Sequence, residues 1–163
     1  MNKYDGKMRS LRGYYVQDGD PRLLTEKDLV RIEDEIGFNL PDDYREFISR
    51  FGCYCPEAYA VFSFKEPFQN NDEGIVSVFY GLLEGDSYDL LRNFETYKER
   101  ILIEALPIAS DPGGNQICLI LTGKYRGKIY FWDHEEELLD KSNLYLIADS
   151  FDEFITSLVF EEA

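Results

Sequence analysis

In the segment "GKIYFWD" four consecutive large apolar residues, Ile129, Tyr130, Phe131 and Trp132, lie between polar ones. Successive side chains of a strand point to opposite faces, so one face carries Ile129 and Phe131 and the other Tyr130 and Trp132. A strand that is apolar on both faces belongs in the centre of a sheet, covered by helices on at least one side.

The first half of the chain supplies two such helices. In "LTEKDLVRIEDEIGFNLP", Thr25 can cap an N-terminus with Asp28 as its capping-box partner, and Leu29, Ile32 and Ile36 share one face. Gly37 then provides a left-handed C-terminal cap. A second helix starts at Pro41, with Asp42 and Asp43 at the positive end of its dipole. Tyr44, Phe47, Ile48 and Phe51 recur at core-facing spacing, and Gly52 ends it. The short "GFNLP" connection predicts that the two helices form one packed unit.

Past Gly52 the period changes. "YAVFSF" and "IVSVFYGLL" are strand-like, with "KEPFQNNDEG" between them as a loop. "SYDLLRNFETYKERI" predicts a helix with Leu90, Leu91, Phe94, Tyr97 and Ile101 toward the core. Four strand candidates follow: "ALPIAS", "QICLILT", "GKIYFWD" and "LYLIA". "SFDEFITSLVF" closes the chain as a helix, with Ser150 and Glu153 as its capping box and Phe151, Phe154, Ile155 and Leu158 buried. This order predicts an α+β fold: a largely antiparallel sheet packed with about four helices. A chain of 163 residues suits one domain with one core.

The glycines of "SDPGGNQICLIL" raise the question of a phosphate-binding loop. Such a loop precedes a helix and carries Lys and Ser/Thr after its glycines. Here Gly113 and Gly114 precede Asn115, Gln116 and a strand, so the helix end that would hold an anion is missing. "DPGGN" is hairpin chemistry. In the next hairpin, flanked by Gly123 and Gly127, Lys124, Arg126 and Lys128 form an exposed basic cluster. It could bind phosphate, or serve as the lysine protection common on edge strands and turns.

Charge narrows the partners. Against 17 basic residues stand 32 acidic ones, a net charge of -15. A surface this negative repels nucleic acid and anionic lipid and speeds encounter with a basic partner, although it also simply confers solubility. From Asp133 onward there are ten acids against Lys141 alone. No apolar stretch reaches the roughly 20 residues of a membrane span, and the N-terminus lacks the apolar region of a secretory signal. Three cysteines, Cys53, Cys55 and Cys118, fit a reducing compartment. The expected location is cytoplasmic.

Candidate chemistry is sparse. "DHEEELLD" places the single histidine, His134, among Asp133, Glu135, Glu136 and Glu137. Histidine with carboxylates can bind metal or serve acid–base catalysis. The segment lacks an i, i+4 ligand pair, however, and reads more simply as a solvated acidic turn. Cys53 and Cys55 fit neither zinc nor thioredoxin-like spacing. No catalytic residue, metal or cofactor is expected.

Two blocks carry a family resemblance. "EDEIGFNLPDDYREFISRFGC", through Glu35, Gly37, Leu40, Pro41, Tyr44, Phe47 and Gly52, resembles the first block of the SUKH superfamily of Smi/Knr type. "LPIASDPGGNQICLILTGKYRGKIYFWDHE" resembles the second, through Pro107, Ala109, Asp111, Gly113, Gly114, Asn115, Gly127, Tyr130, Trp132, Asp133 and His134. The closing helix "SFDEFITSL" is also similar, so the resemblance runs over about residues 24 to 158 of a domain spanning 1–163. It implies an α+β fold and, for bacterial members, an immunity protein that neutralises the toxin domain of a polymorphic or contact-dependent toxin, often a nuclease or deaminase. Its partner would be that cognate toxin, met through an acidic surface rather than through nucleic acid or membrane. Charge clustering and turn placement give the expected contact set: Asp111, Asn115, Asp133, His134, Glu135, Glu136 and Glu137, then Glu84 and Asp86 of "LLEGDSYD". Two other readings stay open. One is a small-ligand or peptide-binding regulatory module of the cell-wall-regulator type, using the sheet concavity near Trp132 or Tyr80. The other is a hydrolase built on Asp133 and His134.

Overall fold

The computed structural model describes residues 2–16, 23–57, 59–101, 103–136 and 143–161. Its main sheet has seven strands. In spatial order these are β1 (Tyr14–Tyr15), β2 (Tyr54–Cys55), β5 (Val78–Phe79), β6 (Ala105–Ser110), β7 (Gln116–Ile120), β8 (Ile129–Trp132) and β9 (Leu144–Ala148). A second sheet holds β3 (Tyr59–Phe68) between β4 (Asn71–Val76) and β10 (Val159–Glu161). Among the described residues every strand pair is antiparallel and there are five α-helices, so the chain is an α+β fold, as expected.

The two faces of β8 separate as alternation requires. Ile129 and Phe131 enter the large core, whereas Trp132 joins a smaller cluster with Ile101, Ala105, Cys118 and Ile120. On β7, Ile117 and Leu119 face the first while Cys118 and Ile120 face the second. The main sheet is thus covered on both sides in this region.

Helices α2 (Glu26–Ile36) and α3 (Asp42–Phe51) form where the sequence places them. Thr25 and Asp28 make a complete capping box, and Gly37 takes the left-handed conformation at φ 83°. Leu29, Ile32 and Ile36 are buried, as are Tyr44, Phe47, Ile48 and Phe51. Each large side chain buried in this way stabilises the fold by about 1.5–3 kcal/mol before entropy is counted. Gly52, by contrast, is not a left-handed cap. Its backbone is extended (φ -66°), and its role is close approach: a Cβ here would lie 2.8 Å from Gly81 Cα, and one on Gly81 would lie 2.7 Å from Gly52 Cα.

Three expectations are corrected. "KEPFQNNDEG" is a hairpin rather than a loop: Gln69 (φ 49°) and Asn70 (φ 65°) supply the two positive φ values of a tight turn, and β3 and β4 run on either side. Pairing is interrupted between Ser63 and Phe68, where Pro67 has no N–H to donate. Helix α4 (Leu90–Tyr97) stops before Ile101, which packs in the smaller cluster. Helix α5 (Phe151–Ser157) ends before Leu158, and Val159–Glu161 becomes β10 against β3. The sequence also gave no sign of α1 (Asp5–Ser10), which buries Met8 and lies beside the buried Tyr4 and Leu11.

Candidate partner-binding site

The β6–β7 turn is built around the Asp111 carboxylate. Its Oδ1 accepts the backbone N–H groups of Gly113 (2.9 Å) and Asn115 (2.8 Å), and its Oδ2 accepts the Asn115 side-chain amide at 3.0 Å. Gly114 takes φ 88°, which lets the chain reverse without strain. The glycines make a hairpin turn and no phosphate cradle, since β7 and not a helix follows.

A second strand end docks onto this turn. The Asn115 side-chain oxygen accepts the backbone N–H of His134 at 3.1 Å, and His134 Nε2 lies 2.8 Å from the Gly113 carbonyl oxygen. A carbonyl can only accept, so Nε2 carries the proton. From beneath, Gln116 Nε2 donates to the Gly114 carbonyl (3.0 Å) while its Oε1 accepts the Tyr80 hydroxyl at 2.7 Å. Burial, only partly offset by hydrogen bonds with Ser110 and Gln116, pushes the Tyr80 phenol up to about 12, so it stays a donor at neutral pH. The turn is therefore held from inside, from beside and from below. The bracing role of Gln116 and Tyr80 was not legible in the sequence, which singled out Tyr80 only as a possible neighbour of a ligand. A polar residue opening a strand and a tyrosine inside an apolar run carry no sign of a hydrogen bond between them.

The expected contact residues divide. Asp111, Asn115 and His134 come together as one half-buried cluster, with Glu135 exposed beside it. Asp133 is corrected: it is 1% exposed, so its carboxylate faces inward. Asp133 Oδ1 accepts the Glu135 backbone N–H at 3.0 Å, and Asn143 brackets its backbone through two further bonds. Glu136 ends the single 3-10 turn His134–Glu136, and Glu137 lies outside the described residues. Glu84 and Asp86 sit elsewhere, at the turn before α4, where Asp86 Oδ1 accepts the Tyr88 N–H and Asp89 caps the helix. Among the described residues no hydrogen bond or ion pair joins them to the Asp111 cluster.

The basic cluster is largely committed to the fold. Arg126 donates to the Asn39 carbonyl at 3.0 Å, Lys128 pairs with Asp149 at 3.1 Å, and Lys124 lies over the Tyr125 ring. Strand β8 is moreover interior, between β7 and β9, so of the expected protection on edge strands and turns only the turn part applies, to Lys124 and Lys128 before β8. All three cysteines are buried and form no disulfide. Among the described residues no group of three or more His, Cys, Asp or Glu is placed to hold a metal ion, and no helix is long and apolar enough to cross a membrane.

Two comparisons bear on this arrangement. The model of the SMI1 / KNR4 family (SUKH-1) matches residues 23–157, which contain both helices of the first block and the whole Asp111–His134 cluster. The chain is also similar to the SPbeta prophage-derived uncharacterized protein YokK of Bacillus subtilis (strain 168), with 36% identity over 154 residues, covering 86% of this chain and 78% of that protein.

Proposed function

The chain belongs to the SMI1/KNR4 family (SUKH-1), whose members are typically immunity proteins, and on that premise we propose that it binds and neutralises a cognate toxin domain. The toxin is of the polymorphic or contact-dependent kind and acts on nucleic acid. The protein works by occupation rather than catalysis, as a single domain over residues 1–163, and its surface carboxylates meet the basic cleft that such a toxin needs for its substrate.

The observation that carries this reading is the cross-braced Asp111–Asn115–His134 turn on a chain of net charge -15. A turn fixed before binding loses little conformational freedom on docking, so more of its contact energy appears as affinity. The surplus of acid steers the encounter. Asp111, Asn115, His134 and Glu135 form the centre of the contact surface. Glu136 and Glu137 add negative charge to the proposed contact set, and the turn of Glu84 and Asp86 is a subsidiary contact. Asp133 supports the surface from within.

The test is co-expression and co-purification with the toxin domain encoded beside this gene. A complex that abolishes toxicity and weakens steeply with salt is expected. Charge reversal at Glu135, Glu136 and Glu137 together should lower affinity and flatten that salt dependence; unchanged binding would remove this surface from the proposal.

A second reading, a small-ligand or peptide-binding regulatory module, cannot use the expected concavity near Trp132 or Tyr80, since both are buried, but one observation favours it at another place. A cleft of about 430 Å³ lies beside Tyr130, floored by Ile103, Ile120 and Leu144 and edged by Lys124. Thermal-shift screening for small ligands tests it directly.

A further inference from the structure

Next to the Asp111 turn lies a cleft of about 290 Å³, which shares Asp111 with the contact set above and is otherwise lined by residues outside it. It opens between the β3–β4 hairpin and residues 111–113. Its floor is aromatic: Phe64 and Phe68 are half-buried, and their ring centroids lie 5.2 and 4.8 Å from that of the buried Phe131. Its rim is acidic, with Glu73 on β4 and Asp111 on the turn, and no lysine or arginine lines it. Asp111 Oδ1 already accepts two hydrogen bonds, but Oδ2 accepts one and keeps a lone pair for another.

We propose that this cleft is a socket for one arginine side chain of the protein partner. The inference rests on the toxin-binding reading and adds which partner group enters, and where. An apolar plug would strip water from the Glu73 and Asp111 carboxylates and return no hydrogen bond, which opposes binding. A guanidinium returns those bonds through its fork and lies flat on the aromatic floor. A lysine ammonium supplies the charge but is more strongly hydrated and has no plane to stack. A single arginine seated in a desolvated aromatic pocket is also the type of contact that dominates protein interfaces.

The experiment uses the full chain and the toxin domain encoded beside its gene. Glu73→Gln, at an exposed site and with its fold checked by circular dichroism, is compared with Glu99→Gln, an exposed carboxylate outside this cleft. Glu73→Gln is expected to weaken binding by about tenfold or more, and Glu99→Gln by about twofold or less. Replacing the toxin's surface arginines one at a time with alanine should then reveal one whose loss costs little further affinity in the Glu73→Gln background, the mark of a direct pair. If the two variants weaken binding equally, or no arginine couples to Glu73, the socket is wrong while toxin binding stands. If the toxin domain does not bind the unmodified protein, both readings fall.

Discussion

The side-chain oxygen of Asn115 accepts the backbone N–H of His134, nineteen positions along the chain, and this bond joins the β6–β7 turn to the end of β8 as one surface. Asn115 also donates to Asp111 from the same side chain, so it serves both halves.

Asn115→Ala removes both bonds and leaves the His134 N–H without its acceptor. A loss of about 1–3 kcal/mol is expected in urea unfolding, with toxin affinity falling further than stability alone explains. Asn115→Asp keeps an acceptor but sets a carboxylate against Asp111, so it should not restore the wild-type value.

Gly81→Ala is expected to cost about 1–3 kcal/mol or more, because a methyl there meets the Gly52 backbone rather than a side chain able to turn away. Gly123→Ala makes the comparison: it has φ 81° and nothing within 4 Å, so only backbone strain opposes it. The denaturant midpoint should fall more for Gly81→Ala.

Glu33 accepts bonds from Arg45 and from the Leu40 N–H. The Arg45 guanidinium outweighs burial and, with the Leu40 bond, holds the Glu33 carboxyl below its usual range. A carboxyl depressed in the folded state stabilises fully above its unfolded pKa, about 4.3, and loses that contribution as pH falls through the lower folded value. Glu33→Gln should therefore be less stable than wild type by about 1–2 kcal/mol at pH 7. The gap should close as the pH is lowered from about 5 to about 2, followed by urea unfolding at each pH.

The cysteines give a simple test of the core. Cys53, Cys55 and Cys118 are buried, and burial pushes the Cys118 thiol well above its ordinary range. A thiol reagent should label none of them within minutes in the native protein, and all three at once in denaturant.

Much of this fold could be read from particular residues. Thr25, Asp28 and Gly37 mark the ends of α2, and the alternation in "KIYFW" divides its four side chains between two faces, which pack into two separate clusters. Where the reading failed, the deciding partner was distant in sequence. Gln69 and Asn70 look like loop residues until β3, anchored through Phe64 and Phe68 on Phe131, pairs with β4 across them. Gly52 reads as a helix stop, although the reason for a glycine there is Gly81. Ser150 and Glu153 form half of the expected capping box: Ser150 accepts the Glu153 N–H, while the Glu153 carboxylate pairs with Lys65. At the site, Asp111 and Asn115 were legible as turn chemistry. The inward carboxylate of Asp133 was not, because an acid beside three glutamates resembles surface until Asn143 closes over it.

Strands β6, β7, β8 and β9 pair strictly in chain order, whereas β3 must find β10, with Tyr59 opposite Glu161. Neighbouring pairings lose less entropy on closure and form sooner than distant ones. The meander is thus expected to order early, with the distant β3–β10 pairing added onto it. The proposed recognition turn sits inside that meander, between its first two strands. It would be among the first parts of the molecule to become ordered and among the last to open, keeping its shape while the periphery frays. Amide hydrogen exchange slower on β6 and β7 than on β3 and β10 would show that order; the reverse ranking would refute it.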